Sequence, residues 1–195
     1  MSRHDRAEVL HRARLMLAWR DRLGRVPVYR LPYPNGGHDP LAPHPFAAHE
    51  GRAVCDCSGF ACWAVGWHRK RPGYNAGSGS KVSGYVNTDS LWQDAHGREG
   101  AAEAVQELVR PATNPLPGDL VVYPGRFAGP IRIGVGHIGI LSSVPAGLPP
   151  LSPAWWEAAT VVHCSAGNAK RGSAVAETSA AMWRRRGAVL EVVGG

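Results

Sequence analysis

The stretch Cys55-Asp56-Cys57-Ser58-Gly59-Phe60-Ala61-Cys62-Trp63 constrains the chain most. A turn of small and polar residues passes here into an apolar run, Phe60 to Val65. Asp56 and Ser58 are good N-cap residues, so a helix is expected from about Cys57 to Trp67. Phe60, Trp63, Ala64 and Trp67 would form its buried stripe. The basic tetrad His68-Arg69-Lys70-Arg71 would follow as a solvated helix end that suits the dipole. A thiol at a helix N-terminus faces unpaired N–H groups and the positive end of the dipole, and both favour the thiolate. The same N–H groups can hold an oxyanion. Cys57 is therefore the candidate nucleophile.

Two later histidines stand beside short β-type runs. His137 opens Gly136-His137-Ile138-Gly139-Ile140-Leu141, and His163 closes Thr160-Val161-Val162-His163. A cysteine with two downstream histidines is the composition of a Cys–His–His set, one imidazole acting as base and the other orienting it.

The rest of the chain reads as helices followed by antiparallel-type strands, an α+β pattern. Residues 5–23 suggest an amphipathic helix with Val9, Ala13, Met16, Leu17 and Leu23 near one stripe, stopped by Gly24. Residues 26–54 read as an irregular loop with His38, His44 and His49, whose spacings match no standard metal site. Residues 72–90 read as a Gly/Ser/Asn loop, Ser90 to His96 as a short helix, and Ala101 to Val109 as a better one. Pro115-Leu116-Pro117-Gly118-Asp119 turns into a strand, Leu120 to Tyr123. Asp119 is expected to serve that turn rather than catalysis. A glycine-rich stretch, 125–136, precedes a strand from His137 to Ser142, and further strands are expected at 159–164, 173–178 and 188–193. Residues 143–158 look like an insertion carrying Trp155-Trp156, which would cover the core or meet a glycan.

Bulk properties narrow the setting. A chain of 195 residues with 44% hydrophobic content suits one domain with a real core. The net charge of +7 favours acidic partners such as nucleic acid, anionic lipid or an anionic wall polymer. Cys55, Cys57 and Cys62 are too close together for loop-closing disulfides, so the four cysteines are read as reduced, Cys62 and Cys164 as core residues, and the site of synthesis as cytosolic. Neither a secretory signal nor an apolar span stands out. An extracytoplasmic substrate would then be met after lysis or dedicated export.

These residues together resemble the NlpC-type (NlpC/p60) cysteine peptidases, papain-like enzymes that cut bacterial cell-wall peptides. Asp56-Cys57-Ser58-Gly59-Phe60 looks like the family's nucleophile motif. Leu116-Pro117-Gly118-Asp119-Leu120-Val121 resembles the Pro-Gly-Asp-Leu strand before the histidine. His137-Ile138-Gly139-Ile140 is similar to His-Val-Gly-Ile, and Val162-His163-Cys164-Ser165 to the segment holding the third polar residue. Leu23-Gly24 and Tyr33-x-x-Gly36-Gly37 resemble the family's helix end and Tyr-x-x-Gly-Gly turn. The resemblance covers about residues 10–193. It departs in two long stretches, 38–55 and 143–158, and in Cys55 and Cys62, which the family pattern lacks.

The resemblance implies a papain-like α+β fold and a Cys57 thiolate, with His137 as base and His163 as orienter. It implies Tyr33, Asp56 and Ser58 beside the oxyanion and substrate, and needs no metal or cofactor. It implies a monomer acting on peptide stems of peptidoglycan, beside a D-γ-glutamyl residue, with no nucleic-acid partner and with a cognate immunity or delivery protein as a possible companion. Two other readings stay open at this point. One is acyl transfer by the same thiol chemistry. The other is a zinc-stabilised binding module using Cys55, Cys57, Cys62 and His68, although Cys-x-Cys is not the usual knuckle spacing.

Overall fold

In the computed structural model, the described residues are 5–30, 39–71, 74, 84–97, 106–128 and 131–194. They form a mixed α+β structure around an antiparallel sheet of six strands. In chain order the elements are α1 (Arg6–Leu15), β1 (Val28–Tyr29), β2 (Ala47–His49), β3 (Arg52–Cys55), α2 (Cys57–Val65), α3 (Thr88–His96), β4 (Val109–Pro111), β5 (Leu120–Tyr123), β6 (Arg126–Ala128), β7 (Ile131–Gly134), β8 (His137–Ser143), α4 (Pro153–Ala158), β9 (Thr160–Cys164), α5 (Ala166–Ala169), β10 (Val175–Ser179) and β11 (Ala188–Val192). A 3-10 turn spans Ala180–Trp183. The large sheet runs β10-β9-β8-β5-β11-β4, and a small one runs β1-β3-β2, with β1 parallel to β3.

Strand alternation divides the large sheet into two apolar faces. Leu120, Val122, Ile138, Ile140, Val162 and Leu190 share a core with α2. Val121, Leu141, Val161 and Val189 share the other with Trp155, Trp156 and Trp183. Trp155 and Trp156 are therefore buried against the sheet, and neither offers a glycan-binding surface. The 143–158 stretch is less an insertion than the helix, α4, that seals this second face.

Helix α2 is buried along all nine residues. Its start follows the expectation: Asp56 is the N-cap and its carboxylate accepts the Gly59 N–H at 2.7 Å. Its end comes sooner than Trp67. Gly66 takes φ 85, the left-handed conformation that closes a helix and that a side chain disfavours. Arg69, expected on a solvated helix end, instead turns back beneath the helix and donates to Asp56 Oδ2 at 2.7 Å. Burying this cation is tolerable because the Asp56 carboxylate, itself fully buried, neutralises it.

Other segments also differ from expectation. Helix α1 stops at Leu15; Val9, Ala13 and Met16 are buried but Leu23 is 73% exposed, so the apolar spacing beyond Met16 reflects a turn rather than a helix face. Arg12 closes the α1–α2 contact, its guanidinium 4.4 Å from the Trp63 ring centroid. The 26–54 stretch supplies all three strands of the small sheet, and 125–136 contains the β6–β7 hairpin. Helix α3 begins at Thr88 because Asn87 and Ser90 form a capping box.

The helix expected over 101–109 is only partly testable, since 101–105 lie outside the described residues. From Gln106 onward there is no helix. The buried Asp94 carboxylate takes the N–H groups of Glu107, Leu108 and Val109 at 2.9, 2.8 and 2.9 Å, which holds the chain open and leads it into β4. The strands expected at 159–164, 173–178 and 188–193 are β9, β10 and β11 with ends moved by one or two residues. Asp119 serves the turn, accepting from Leu116 N at 2.8 Å and from Arg6 Nε at 2.5 Å. No helix among the described residues is long and apolar enough to cross a membrane.

Candidate active site

Cys57 is the first residue of α2. The Asp56 carboxylate takes the Gly59 N–H, and the Asp56 carbonyl takes the Phe60 N–H at 3.0 Å. The N–H groups of Cys57 and Ser58 remain at the helix mouth with no acceptor among the described residues. The thiol lies against the backbone N–H of Ile138 and the Ser58 side chain, and both favour its ionised form. It therefore sits beside the His137–Ile138 peptide, where β8 begins.

His137 pairs with Tyr123 across β5 and β8, and His163 lies on the next strand, facing Gly139 in the same antiparallel register. A Cβ on Gly139 would stand 3.0 Å from the His163 Cβ and would strike Val161, so the glycine of the His-x-Gly-Ile motif is what lets β9 bring His163 in. His137 Nε2 and His163 Nδ1 are 2.8 Å apart. His163 Nε2 is 2.9 Å from Thr178 Oγ1, on β10. Thr178 in turn donates to the Ser179 carbonyl at 3.4 Å.

Each ring can carry its proton on either nitrogen, and the direction in which this chain of partners runs sets which. Where the Thr178 hydroxyl gives its proton to the Ser179 carbonyl, it accepts from His163 Nε2–H. His163 Nδ1 is then bare and accepts from His137 Nε2–H. His137 Nδ1 is left without a proton, as a general base requires. The Asn168 amide lies 3.4 Å from the same His163 Nε2 and donates to the His163 carbonyl at 3.0 Å, while its oxygen accepts from Arg171 at 2.9 Å. Trp183 covers both rings, stacked on His137 (centroids 5.6 Å, 21°) and edge-on to His163 (5.1 Å, 90°).

Burial sets the resting charges. It pushes the Cys57 thiol up to about 12, assisted by the Asp56 charge, against the smaller help of the Ile138 N–H and Ser58. It pulls His137 down to about 3, assisted by His163 and Arg186, and His163 down to about 4, assisted by Arg171. The resting site is thus a thiol beside neutral imidazoles. Desolvation of the buried sulfur thus works against the helix-terminal N–H groups that favour its ionised form.

Among the expected site residues, Cys57, Ser58, His137 and His163 gather at the junction of α2, β8 and β9. Asp56 does not face a substrate; it is fully buried, committed to the cap and to Arg69. Tyr33 lies outside the described residues. A described tyrosine near Cys57 is Tyr29, whose phenol is kept protonated mainly by burial. Its position follows from β1, where Tyr29 pairs with Cys55, two residues before the nucleophile. Cys55 and Cys164 are buried free thiols behind the site, and Cys62 is buried on α2.

A cavity of about 820 Å³ opens beside the two histidines, lined by Tyr29, Tyr123, His137, His163, Arg171 and Thr178 among others. Arg186 stands over the Tyr123 ring at 4.0 Å. No group of three or more His, Cys, Asp or Glu residues among those described could hold a metal ion. No protein-family model, no curated protein and no solved structure matches the chain.

Proposed function

We propose that the protein is a cysteine hydrolase of the papain-like, NlpC-type kind, cutting an amide bond in the peptide stems of peptidoglycan. The observation that carries the reading is the series Thr178–His163–His137, with the helix-terminal Cys57 thiol against the next residue of the chain, Ile138.

The thiol is neutral at rest, so attack and proton transfer are coupled. As Cys57 Sγ bonds to the carbonyl carbon, His137 Nδ1 takes the thiol proton and the carbonyl π electrons move to oxygen. The imidazolium so formed is stabilised by its Nε2–H bond to His163 Nδ1. The oxyanion is met by the Cys57 N–H and the Tyr29 hydroxyl. Collapse expels the amine, which takes the proton back from His137 and leaves a thioester. Water, deprotonated by the same nitrogen, then releases the acid and restores the thiol. Trp183 and the buried sheet keep bulk water from His163, which preserves the tautomer between turnovers.

The test is digestion of purified sacculi and defined stem peptides, with products read by mass. Cys57→Ala and His137→Ala should each abolish cleavage while leaving the fold intact by circular dichroism. His163→Ala should cost less, and His163→Asn should recover part of the loss. A His137→Ala/His163→Ala double variant should lose little more than His137→Ala alone, because groups that act as a unit fail together. Losses that multiply would mean that the two histidines act independently, and would sink the assignment.

A further inference from the structure

Two more cavities continue from the active-site cavity along the small sheet. One, of about 450 Å³, shares Tyr29 with the active-site cavity and is lined by Arg30, His49, Glu50 and Arg52. The next, of about 440 Å³, shares Arg52 and is lined by Trp19, Arg20, Arg22, Arg25 and Phe46. The shared residues, Tyr29 and Arg52, set the three cavities in series from the two histidines across β3 to the turn after α1.

The far end of this track carries four arginines against one acid, Asp21. That acid is already spent. It accepts from Arg25 Nε at 2.7 Å and from the N–H groups of Leu23 and Arg25 at 2.9 and 2.8 Å. Arg22 and Arg52 are exposed and have no carboxylate partner among the described residues. The wall beside them is aromatic: the Trp19 ring meets Phe46 at 4.5 Å and His44 at 5.0 Å, and stays half-buried, with one part open to the cavity. Guanidinium groups recognise carboxylates by paired hydrogen bonds, and an indole beside them offers a flat apolar surface for a sugar ring.

We infer that the Trp19–Arg22–Arg52 groove is a second binding site for the polymer itself, holding an uncut, carboxylate-bearing repeat of the same glycan–peptide chain while another repeat lies at Cys57. This rests on the proposed wall substrate. The serial placement of the cavities suits one extended ligand. Charge argues for an anionic one, and the indole for one carrying sugar rings. The groove raises the local concentration of cleavable stems by tethering, as linked sites do, without taking part in the chemistry.

The test separates binding from cleavage. Protein carrying Cys57→Ala is pelleted with intact sacculi, with sacculi whose carboxylates have been amidated by carbodiimide, and with sacculi stripped of phosphodiester polymers by hydrofluoric acid. The expected result is binding that survives stripping, falls on amidation, and weakens about tenfold or more when Arg22→Glu and Arg52→Glu are added, in line with reversing a local charge field. In the otherwise unaltered enzyme the same two substitutions should raise the KM for sacculi and leave kcat/KM for a single stem peptide unchanged. Binding untouched by the double reversal, binding lost on stripping but not on amidation, or tighter capture of a single-stranded oligonucleotide than of sacculi would each overturn the inference. Should the enzyme cut no wall substrate at all, the proposed function fails, while the pelleting experiment still reads the groove.

Discussion

Thr178 is the most informative residue to change, because it reaches the chemistry through a proton two rings away. Thr178→Val keeps the β-branched shape on β10 and removes the hydroxyl 2.9 Å from His163 Nε2, leaving the Asn168 amide at 3.4 Å, a donor, as that nitrogen's partner. His163 is 2% exposed, so water does not readily replace the hydroxyl. An unsatisfied buried N–H costs about 1–3 kcal/mol. The ring can escape that cost by moving its proton to Nδ1, which then donates to His137 Nε2 and forces the His137 proton onto Nδ1. The base becomes a donor facing the thiol. A bias of about 1–3 kcal/mol toward the wrong tautomer lowers the competent fraction, and hence kcat, by roughly 5- to 150-fold, with KM little changed. Thr178→Ser restores the acceptor and should recover most of the rate. The assay is kcat and KM on a defined stem peptide, together with the imidazole nitrogen shifts of His137 by NMR, which report the tautomer whatever the substrate. A Thr178→Val enzyme within twofold of the parent, or an unchanged His137 tautomer, would refute the relay.

Further expectations concern pH and packing. With the thiol pushed up to about 12 and His137 down to about 3, iodoacetamide labelling of Cys57 should accelerate steadily from pH 7 to 10; a fast, flat profile between pH 5 and 8 would instead reveal a resting thiolate–imidazolium pair. Both histidines have folded-state values below 6.5, so they bind fewer protons folded than unfolded; stability is full above about pH 6.5 and falls on acidification, by up to roughly 1.4 kcal/mol per pH unit for each ring. Urea midpoints for the parent and for His163→Asn should show a shallower acid slope in the variant, and equal slopes would contradict the burial argument. Asp56→Ala removes a cap and strands the buried Arg69 charge, and should destabilise by about 3–5 kcal/mol; Asp56→Asn keeps the cap and should cost less, which chemical denaturation would resolve. Gly139→Ala should lower kcat as well as stability, by about 1–3 kcal/mol, because the new methyl presses on Val161 and His163.

Much of the framework could be read from local pattern. The Asp56 cap and the apolar run behind it specify where α2 begins, and alternating strands such as Leu120–Tyr123 and His137–Ser143 announce their two faces. Features that depend on distant partners could not be read this way. Arg69 looks like any basic helix end until the fold returns Asp56 to it, 13 residues earlier in the chain. Gln106 to Val109 has a helical composition, and only the Asp94 side chain diverts it. Thr178 and Trp183 join the site through strand register and a turn after β10, and no short motif marks either. Tyr29 could have been suspected from its place on an apolar, extended Val-Pro-Val-Tyr run, yet its meeting with Cys57 rests on parallel pairing across 26 residues. Desolvation of the thiol is likewise a property of the assembled core, invisible in the helix-start signal that singled Cys57 out.

The place of β11 has a consequence for the order of assembly. This late strand, Ala188–Val192, lies between β5 and β4, and its Glu191 receives the Arg6 guanidinium at 2.9 Å while also pairing with Arg110. Until residue 192 has been made, β5 keeps one bare edge and the helix that braces the nucleophile has half of its anchor. Contacts spanning 185 residues are slow to close. The brace on α1 and the closure of the sheet between β5 and β4 are therefore late events, however early the strands before them have paired.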